Sequence, residues 1–143
     1  MKKYINKLML LSGLLFLGSS CETDGQLTTL KAASFSSALE VSSSEIVLTE
    51  ATAEDQALLV SWPAVTFPIT APVTYAIQFD LVNDITGSLA WQKAKRIVVG
   101  EDVLSKSFLD RDLNKIATDL GLPINVPGQL AVRIEATMDR KIY

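Results

Sequence analysis

Few side chains in this sequence of 143 residues could perform chemistry, and the single cysteine, Cys21, is the most reactive of them. The chain contains no histidine, which excludes Ser-His-Asp and Cys-His nucleophile arrangements and any histidine-ligated metal site. One cysteine cannot form a disulfide within its own chain, so its thiol stays free or is consumed by a modification. We therefore expect the covalent chemistry of this chain to be a modification of Cys21.

The carboxylates of the sequence do not form an enzyme-like pair. Glycoside hydrolysis requires two carboxyl groups at a controlled separation across a cleft. Glu101 and Asp102 are adjacent in a predicted turn, and Asp110 stands at the start of a predicted helix. We expect the protein to be no enzyme and to use no cofactor.

The acids of the predicted helix start also imitate the opening of a calcium loop. Asp110, Asp112 and Asn114 are spaced at alternate positions, but such a loop needs a glycine at the sixth position and a glutamate at the twelfth. Lys115 and Gly121 occupy those two positions here. Helix capping explains the same acids, and we favour it over metal binding.

The residues before Cys21 follow the order of a secretory signal peptide. Lys2, Lys3 and Lys7 form a basic end, and an apolar run from 8 to 17 leads into small residues. The run is shorter than the roughly 20 apolar residues that span a bilayer. Small residues that end directly on a cysteine resemble the lipobox of bacterial lipoproteins. The alternative is an ordinary cleavage site followed by an incidental thiol.

The lipobox resemblance implies that residues 1–20 are removed and that Cys21 is acylated as the first residue of the mature protein. Several acyl chains on one residue give a durable membrane anchor. Glu22 and Asp24 resemble the acidic motif that follows the lipidated cysteine of lipoproteins exported to the cell surface. We therefore expect a protein that is tethered to the outer membrane and exposed at the surface.

Length and charge limit the remaining possibilities. Removal of residues 1–20 leaves 123 of 143 residues, the size of one domain with a tether, and the loss of three lysines moves the formal charge from -3 to -6. The mature chain has no compact basic run that could neutralise a phosphate backbone. Nucleic acid is therefore excluded as a partner.

Residue patterns divide the mature chain into a flexible tether, 21–44, and a domain, 45–143. The tether is rich in Ser, Thr, Ala and Gly and shows no lasting period, although Phe35 and Leu39 could begin a strand or pack on the domain. Apolar alternation and turn signals predict six strands in the domain, at 46–49, 57–62, 73–81, 90–99, 105–109 and 129–138. We expect the strand 73–81 to be central and half buried.

A change of period interrupts these strands once. Between 110 and 121 the apolar residues recur at helical spacing, with Asp110 as the expected N-cap and Gly121 as the stop. The pattern predicts an all-β, two-sheet sandwich of the immunoglobulin or fibronectin III type with one short helix insertion. The strand that normally closes such a sandwich is missing, so we expect the domain to be C-terminally truncated. A truncated gene and a partial record would each explain the missing strand.

Four aromatic residues could provide a platform for a sugar ring: Trp62, Phe67, Tyr75 and Trp91. Trp62 and Tyr75 lie on the apolar faces of predicted strands and are expected in the core. Trp91 begins a predicted strand and Phe67 lies in a proline-rich loop, so these two are the candidate carbohydrate-binding residues.

Five ordered segments carry a family resemblance: Ile46 to Thr49, Leu59 to Trp62, Tyr75 to Asp80, Asp112 to Leu122 and Val132 to Ala136. They resemble the N-terminal domain of SusE-like outer-membrane lipoproteins. The resemblance implies a surface glycan-binding component of a polysaccharide-uptake system, with a SusD-like binding protein and a TonB-dependent transporter as partners. It also implies that the first domain is an immunoglobulin-like spacer and that later modules bind the polysaccharide.

Two functions remain open at this point. The first is a non-catalytic, membrane-anchored spacer of a glycan-capture complex. In this reading the chain itself should not bind polysaccharide. The second is a self-standing adhesion or assembly domain that completes its sandwich with a strand from a partner.

Overall fold

A computed structural model describes residues 33–68 and 71–138 of the chain. Cys21, the predicted leader 1–20 and residues 21–32 of the predicted tether lie outside this part. The strands and the α-helix of the described part have the bounds β1 Glu40–Val41, β2 Gln56–Ser61, β3 Val73–Leu81, β4 Lys95–Glu101, β5 Ser105–Leu109, α1 Asp110–Asp119 and β6 Leu130–Met138. Single turns of 3-10 helix occur at Glu50–Thr52 and Val82–Asp84.

The strands form two antiparallel sheets of three strands each. The first sheet has the order β1-β2-β5 and the second has the order β4-β3-β6. The predicted all-β sandwich with one short helix is therefore confirmed. Strands β3 and β5 have the predicted bounds, β6 begins one residue later than predicted, and β2 begins and ends one residue earlier.

The core lies between the sheets and is built from alternate residues of the strands together with one face of α1. Its buried apolar residues are Leu58, Val60, Trp62, Val65, Val73, Tyr75, Ile77, Phe79, Phe108, Leu113 and Ile116. The rings of Phe79 and Phe108 meet edge to face with centroids 5.1 Å apart. Trp62 and Tyr75 belong to this core, as predicted, and the Tyr75 hydroxyl accepts a hydrogen bond of 3.0 Å from the backbone N–H of Val65.

The central strand β3 is buried on both faces, so the prediction of a half-buried strand is wrong. Ala76, Gln78 and Asp80 point away from the core, yet they expose only 1%, 8% and 0% of their surface. Longer side chains of β4 and β6 cross over Gln78 and bond to it and to each other. The alternation in the sequence shows which residues share a face but not what covers that face.

A β-bulge interrupts the pairing of β3 with β4. Tyr75 lies opposite Gly100 and Ala76 lies opposite Val98, so Val99 is an extra residue on β4. Gly100 has a φ of 139°, which glycine adopts without steric cost. Ile97 and Val99 pack against the core, whereas Val98 is exposed on the outer face.

The first predicted strand, 46–49, is absent from the described structure. Ile46 and Leu48 pack against the core and Val47 is exposed, so the apolar alternation is real, but the segment joins no ladder. Strand β2 pairs with β5 along one edge, and the segment that pairs with its other edge is β1, opposite Val60 and Ser61. Strand β1 lies instead within the predicted tether, and Phe35 and Leu39 next to it pack against the core.

Two further boundaries differ from the prediction. Strand β4 begins at Lys95 and not at Ala90, because residues 88–93 form turns. Helix α1 begins at Asp110, so Leu109 and not Asp110 is its N-cap. The helix ends at the predicted glycine, since Gly121 has a φ of 91° and its N–H donates to the carbonyl of Thr118 at 2.9 Å.

Candidate functional site

The second sheet carries a polar network on its outer face, the face directed away from the core. The members of this network are Gln78 on β3, Arg96 on β4, Arg133 and Glu135 on β6, and Trp91 in the turn before β4. In the register of the sheet, Gln78 lies opposite both Arg96 and Arg133. The strand pairing therefore places two guanidinium groups on either side of one buried amide.

Hydrogen bonds link the polar members into a chain that runs from Arg96 through Glu135 and Gln78 to Arg133. Arg96 donates to Glu135 twice, from Nε to Oε2 at 2.9 Å and from Nη2 to Oε1 at 3.1 Å. The amide nitrogen of Gln78 donates to Glu135 Oε2 at 2.6 Å. The amide oxygen of Gln78 accepts from Arg133 Nε at 2.9 Å and from Arg133 Nη2 at 2.7 Å. Both ends of the Gln78 amide are thus bonded, as expected of a buried polar group.

The charges of the network do not balance. The hydrogen bonds from Arg96, together with its positive charge, lower the pKa of Glu135, and Glu135 raises the pKa of Arg96 in return. Arg133 forms no ion pair within residues 33–68 and 71–138. The network therefore holds one carboxylate and two guanidinium groups, and Arg133 carries the uncompensated positive charge.

Trp91 covers one face of the Arg133 guanidinium. The Arg133 Cζ atom lies 4.3 Å from the centroid of the Trp91 ring, within the range of a cation–π contact. Trp91 has a φ of 63°, an unusual conformation for a bulky residue. Its backbone N–H donates to the carbonyl of Asp84 at 3.0 Å, which holds the turn in this conformation.

The two predicted carbohydrate-binding residues lie in different surroundings. Trp91 contacts Arg133 on the outer face of the second sheet, whereas Phe67 packs against the core. The structure therefore does not bring Trp91 and Phe67 together into one platform. Cys21, the predicted lipidation site, lies outside the described residues.

Asp80 follows Gln78 on the same face of β3 and is the most deeply buried acid of the described residues. Its Oδ1 atom accepts a hydrogen bond of 2.9 Å from the backbone N–H of Leu81, and its Oδ2 atom has no hydrogen-bond partner in the described part of the chain. Asp80 and Arg133 do not form an ion pair. Asp80 is therefore a neighbour of the network and not one of its members.

The acids at the start of α1 have structural partners. Asp110 is buried, and its Oδ2 atom accepts a hydrogen bond from the hydroxyl of Thr52. The first N–H groups of the helix donate to loop carbonyls, Asp110 to Asp55 at 3.0 Å and Arg111 to Ala53 at 3.2 Å. Among the described residues, no three acidic, histidine or cysteine side chains are grouped as a metal site would require.

Sequence reasoning found Trp91 but missed the four residues that surround it in the network. The signal was the polar face of two strictly alternating strands, because Gln78 lies on the polar face of β3 and Arg133 and Glu135 lie on that of β6. Their meeting depends on the register between three strands, which no single segment encodes.

A second surface feature runs beside β6. An apolar groove lies between β6 and the residues that precede β1, and its lining includes Phe35, Leu39, Trp62, Val132 and Ile134. Within the described residues, the outer edge of β6 pairs with no strand. Backbone groups and an apolar groove are thus exposed side by side.

The two sheets and the short helix define an all-β sandwich domain. The model of the SusE outer membrane protein family matches residues 23–135, which spans every described strand up to the middle of β6. The chain therefore belongs to the SusE outer membrane protein family, whose members are outer membrane components of Sus-like systems. A search among curated proteins and a search among solved structures each found no match. None of the helices in the described ranges has the length and apolar character needed to cross a membrane.

Proposed function

We propose that this protein is a lipid-anchored, non-catalytic spacer domain of a surface complex that captures and imports polysaccharide. The observation that carries the proposal is the family match over residues 23–135, together with a leader whose small residues end on Cys21. In this proposal the acylated Cys21 holds the domain at the outer membrane and on the cell surface. A SusD-like binding protein and a TonB-dependent transporter are the proposed partners.

The surroundings of the aromatic residues support a spacer role. Binding of a neutral sugar ring favours an exposed aromatic face with polar groups beside it. Phe67 packs against the core, and Arg133 covers one face of Trp91. We therefore expect this domain not to bind neutral polysaccharide, which other modules of the complex would bind.

The anchor is tested by the variant Cys21→Ala, expressed in a bacterial host that lipidates outer-membrane proteins. The variant cannot be acylated, so it should leave the membrane fraction and lose the mass of the lipid. The control Ser20→Ala keeps a small residue before the cysteine and should remain in the membrane. Membrane retention of Cys21→Ala equal to that of the unaltered protein would refute the lipid anchor.

The spacer role is tested by affinity electrophoresis of the full chain in gels that contain starch or another neutral polysaccharide. We expect unaltered migration. Retardation that is lost in the variant Trp91→Ala would show that the domain itself binds neutral glycan, which contradicts the spacer proposal.

A second candidate function is an assembly domain that accepts a strand from a partner protein. The outer edge of β6 pairs with no strand of the described residues, and this edge and the apolar groove beside it favour this alternative. Because Val82 donates to the carbonyl of Gln129, the amides of Val132, Ile134 and Ala136 point to this outer edge. Hydrogen exchange that is slow at these amides in native membranes and fast in the purified protein would support strand addition, and fast exchange in both would exclude it.

A further inference from the structure

The guanidinium of Arg133 is held in place on two sides. Its Nε and one Nη2 hydrogen are bound by the amide oxygen of Gln78, and one of its faces lies on the Trp91 ring. Gln78 is itself buried and fixed by Glu135. An arginine that is immobilised before a ligand arrives loses little side-chain entropy on binding.

The other edge of this guanidinium contacts no acceptor in residues 33–68 and 71–138. The N–H groups of Nη1 and the second N–H of Nη2 make no hydrogen bond to any described residue, and Arg133 is exposed at the surface. Two parallel N–H groups on one edge of a guanidinium match the two oxygens of a carboxylate. The neighbouring acid Glu135 does not meet this need, since its two oxygens accept hydrogen bonds from Arg96 and Gln78.

We propose that the outer face of the second sheet binds the carboxylate of an acidic sugar residue, a uronate, through the free edge of Arg133. The choice of a sugar acid over an acidic protein segment rests on the proposed function in a glycan-capture complex. On the same face, the Thr137 hydroxyl donates to Glu135 at 3.3 Å and can still accept a hydrogen bond from a sugar hydroxyl group. Trp91 and Gln78 are positioning residues, because the ring of Trp91 and the amide oxygen of Gln78 hold the guanidinium in place.

The test is calorimetric titration of the full chain, purified in detergent, with tri-galacturonate. We expect binding that weakens about 10- to 100-fold in Arg133→Gln, which loses the charge-assisted pair. Arg133→Lys keeps the charge but not the two-point edge, so it should bind with intermediate affinity. The matched control Arg111→Gln removes an exposed arginine of α1 that already pairs with Glu54, and its affinity should be unchanged.

Three further ligands make the result specific. The methyl ester of tri-galacturonate keeps the ring and masks the charge, and maltotriose is a neutral trisaccharide; neither should bind. Hexaglutamate presents carboxylates on a peptide and should bind more weakly than tri-galacturonate. Absence of tri-galacturonate binding, equal binding of the methyl ester, or an equal loss in Arg111→Gln would overturn the proposal, and tighter binding of hexaglutamate would overturn its assignment to a sugar.

Positioning by Trp91 has its own readout. In Trp91→Phe a smaller ring remains over Arg133, and in Trp91→Ala no ring remains. The affinity for tri-galacturonate should therefore fall from the unaltered protein to Trp91→Phe and again to Trp91→Ala. The thermal unfolding temperatures of the three proteins should not follow the same order. An unchanged affinity in Trp91→Ala would remove Trp91 from the site. If Cys21 is lipidated but the protein does not bind tri-galacturonate, this inference alone is refuted. If Cys21 is not lipidated, the proposed function is refuted.

Discussion

Arg96 and Glu135 form a two-point ion pair across the central strand, although their own strands do not pair with each other. Arg96 lies on β4 and Glu135 on β6, and β3 runs between them. The two hydrogen bonds measure 2.9 and 3.1 Å, and Gln78 of β3 donates to the same carboxylate from below. The pair therefore joins all three strands of the second sheet through side chains.

This ion pair makes a pH-dependent contribution to stability. Arg96 lowers the pKa of Glu135 below its ordinary value of 4.5, so the folded state favours the ionised carboxylate. The contribution is fully present above the unfolded-state pKa and is lost as the pH falls through the lower folded-state pKa. Glu135→Gln should therefore lower the urea midpoint at neutral pH, and the difference from the unaltered protein should shrink below about pH 4.

The control for this prediction is Glu101→Gln, which changes an exposed acid of β4 that forms no ion pair among the described residues. Its urea midpoint should follow that of the unaltered protein at both acidic and neutral pH. A pH-independent difference for Glu135→Gln would mean that the carboxylate charge contributes nothing to stability.

Asp110 connects the start of α1 to the turn between β1 and β2. It is buried and accepts a hydrogen bond from Thr52, so Asp110→Ala removes this bond and Thr52→Ala leaves the buried carboxylate without this partner. We expect Asp110→Ala to lower the free energy of unfolding by about 1 to 3 kcal/mol. In a double-mutant cycle, Asp110→Ala and Thr52→Ala should show a coupling of at least about 0.5 kcal/mol.

Asp112 provides the comparison, because it lies in the same first turn but is exposed. The cycle of Asp112→Ala with Thr52→Ala should show no coupling. Chemical unfolding followed by far-ultraviolet circular dichroism gives all the required free energies. Additive effects of Asp110→Ala and Thr52→Ala would show that their hydrogen bond does not stabilise the fold.

Because the backbone of Trp91 is left-handed, we expect glycine to be more stable than alanine at this position. At most positions alanine is at least as stable as glycine, but at a φ of 63° a Cβ atom is strained. Both Trp91→Gly and Trp91→Ala lose the contact with Arg133, so their difference isolates the backbone. Trp91→Gly should be more stable than Trp91→Ala by about 1 kcal/mol.

Lys93 offers the reference pair, since it lies in the same run of turns without a positive φ. Thermal unfolding should rank Lys93→Ala at or above Lys93→Gly, the reverse of the order at Trp91. The same order at both positions would mean that the Trp91 backbone is not strained in solution.

The sequence predicted best where one segment contains its own signal. Strict alternation located β3 and β6, and the change of period followed by Gly121 located α1, because these patterns record which side of an element is buried. The segment 46–49 misled because alternation reports burial but not backbone pairing. Its apolar side chains reach the core beside a sheet whose middle strand is already paired on both edges.

The candidate site was only partly predictable for a different reason. Trp91 is a candidate binding residue by its type alone, whereas Gln78, Arg133 and Glu135 occupy polar positions that are common on the outer faces of strands. Their hydrogen bonds arise from the register of β6 and β4 against β3, which depends on contacts between distant parts of the chain. The burial of Gln78 follows from that register and not from its own neighbours in sequence.

The bulge at Val99 also determines how β4 can tolerate a change of length. Deletion of Val99 would place Val98 and Gly100 next to each other opposite Ala76 and Tyr75, as in a regular ladder, and would leave Arg96 on the outer face. Deletion of Ile134 from β6, which pairs with β3 without a register shift, would instead bring Arg133 or Glu135 to a position that faces the core. Thermal unfolding should therefore show a smaller loss of stability for the deletion of Val99 than for the deletion of Ile134.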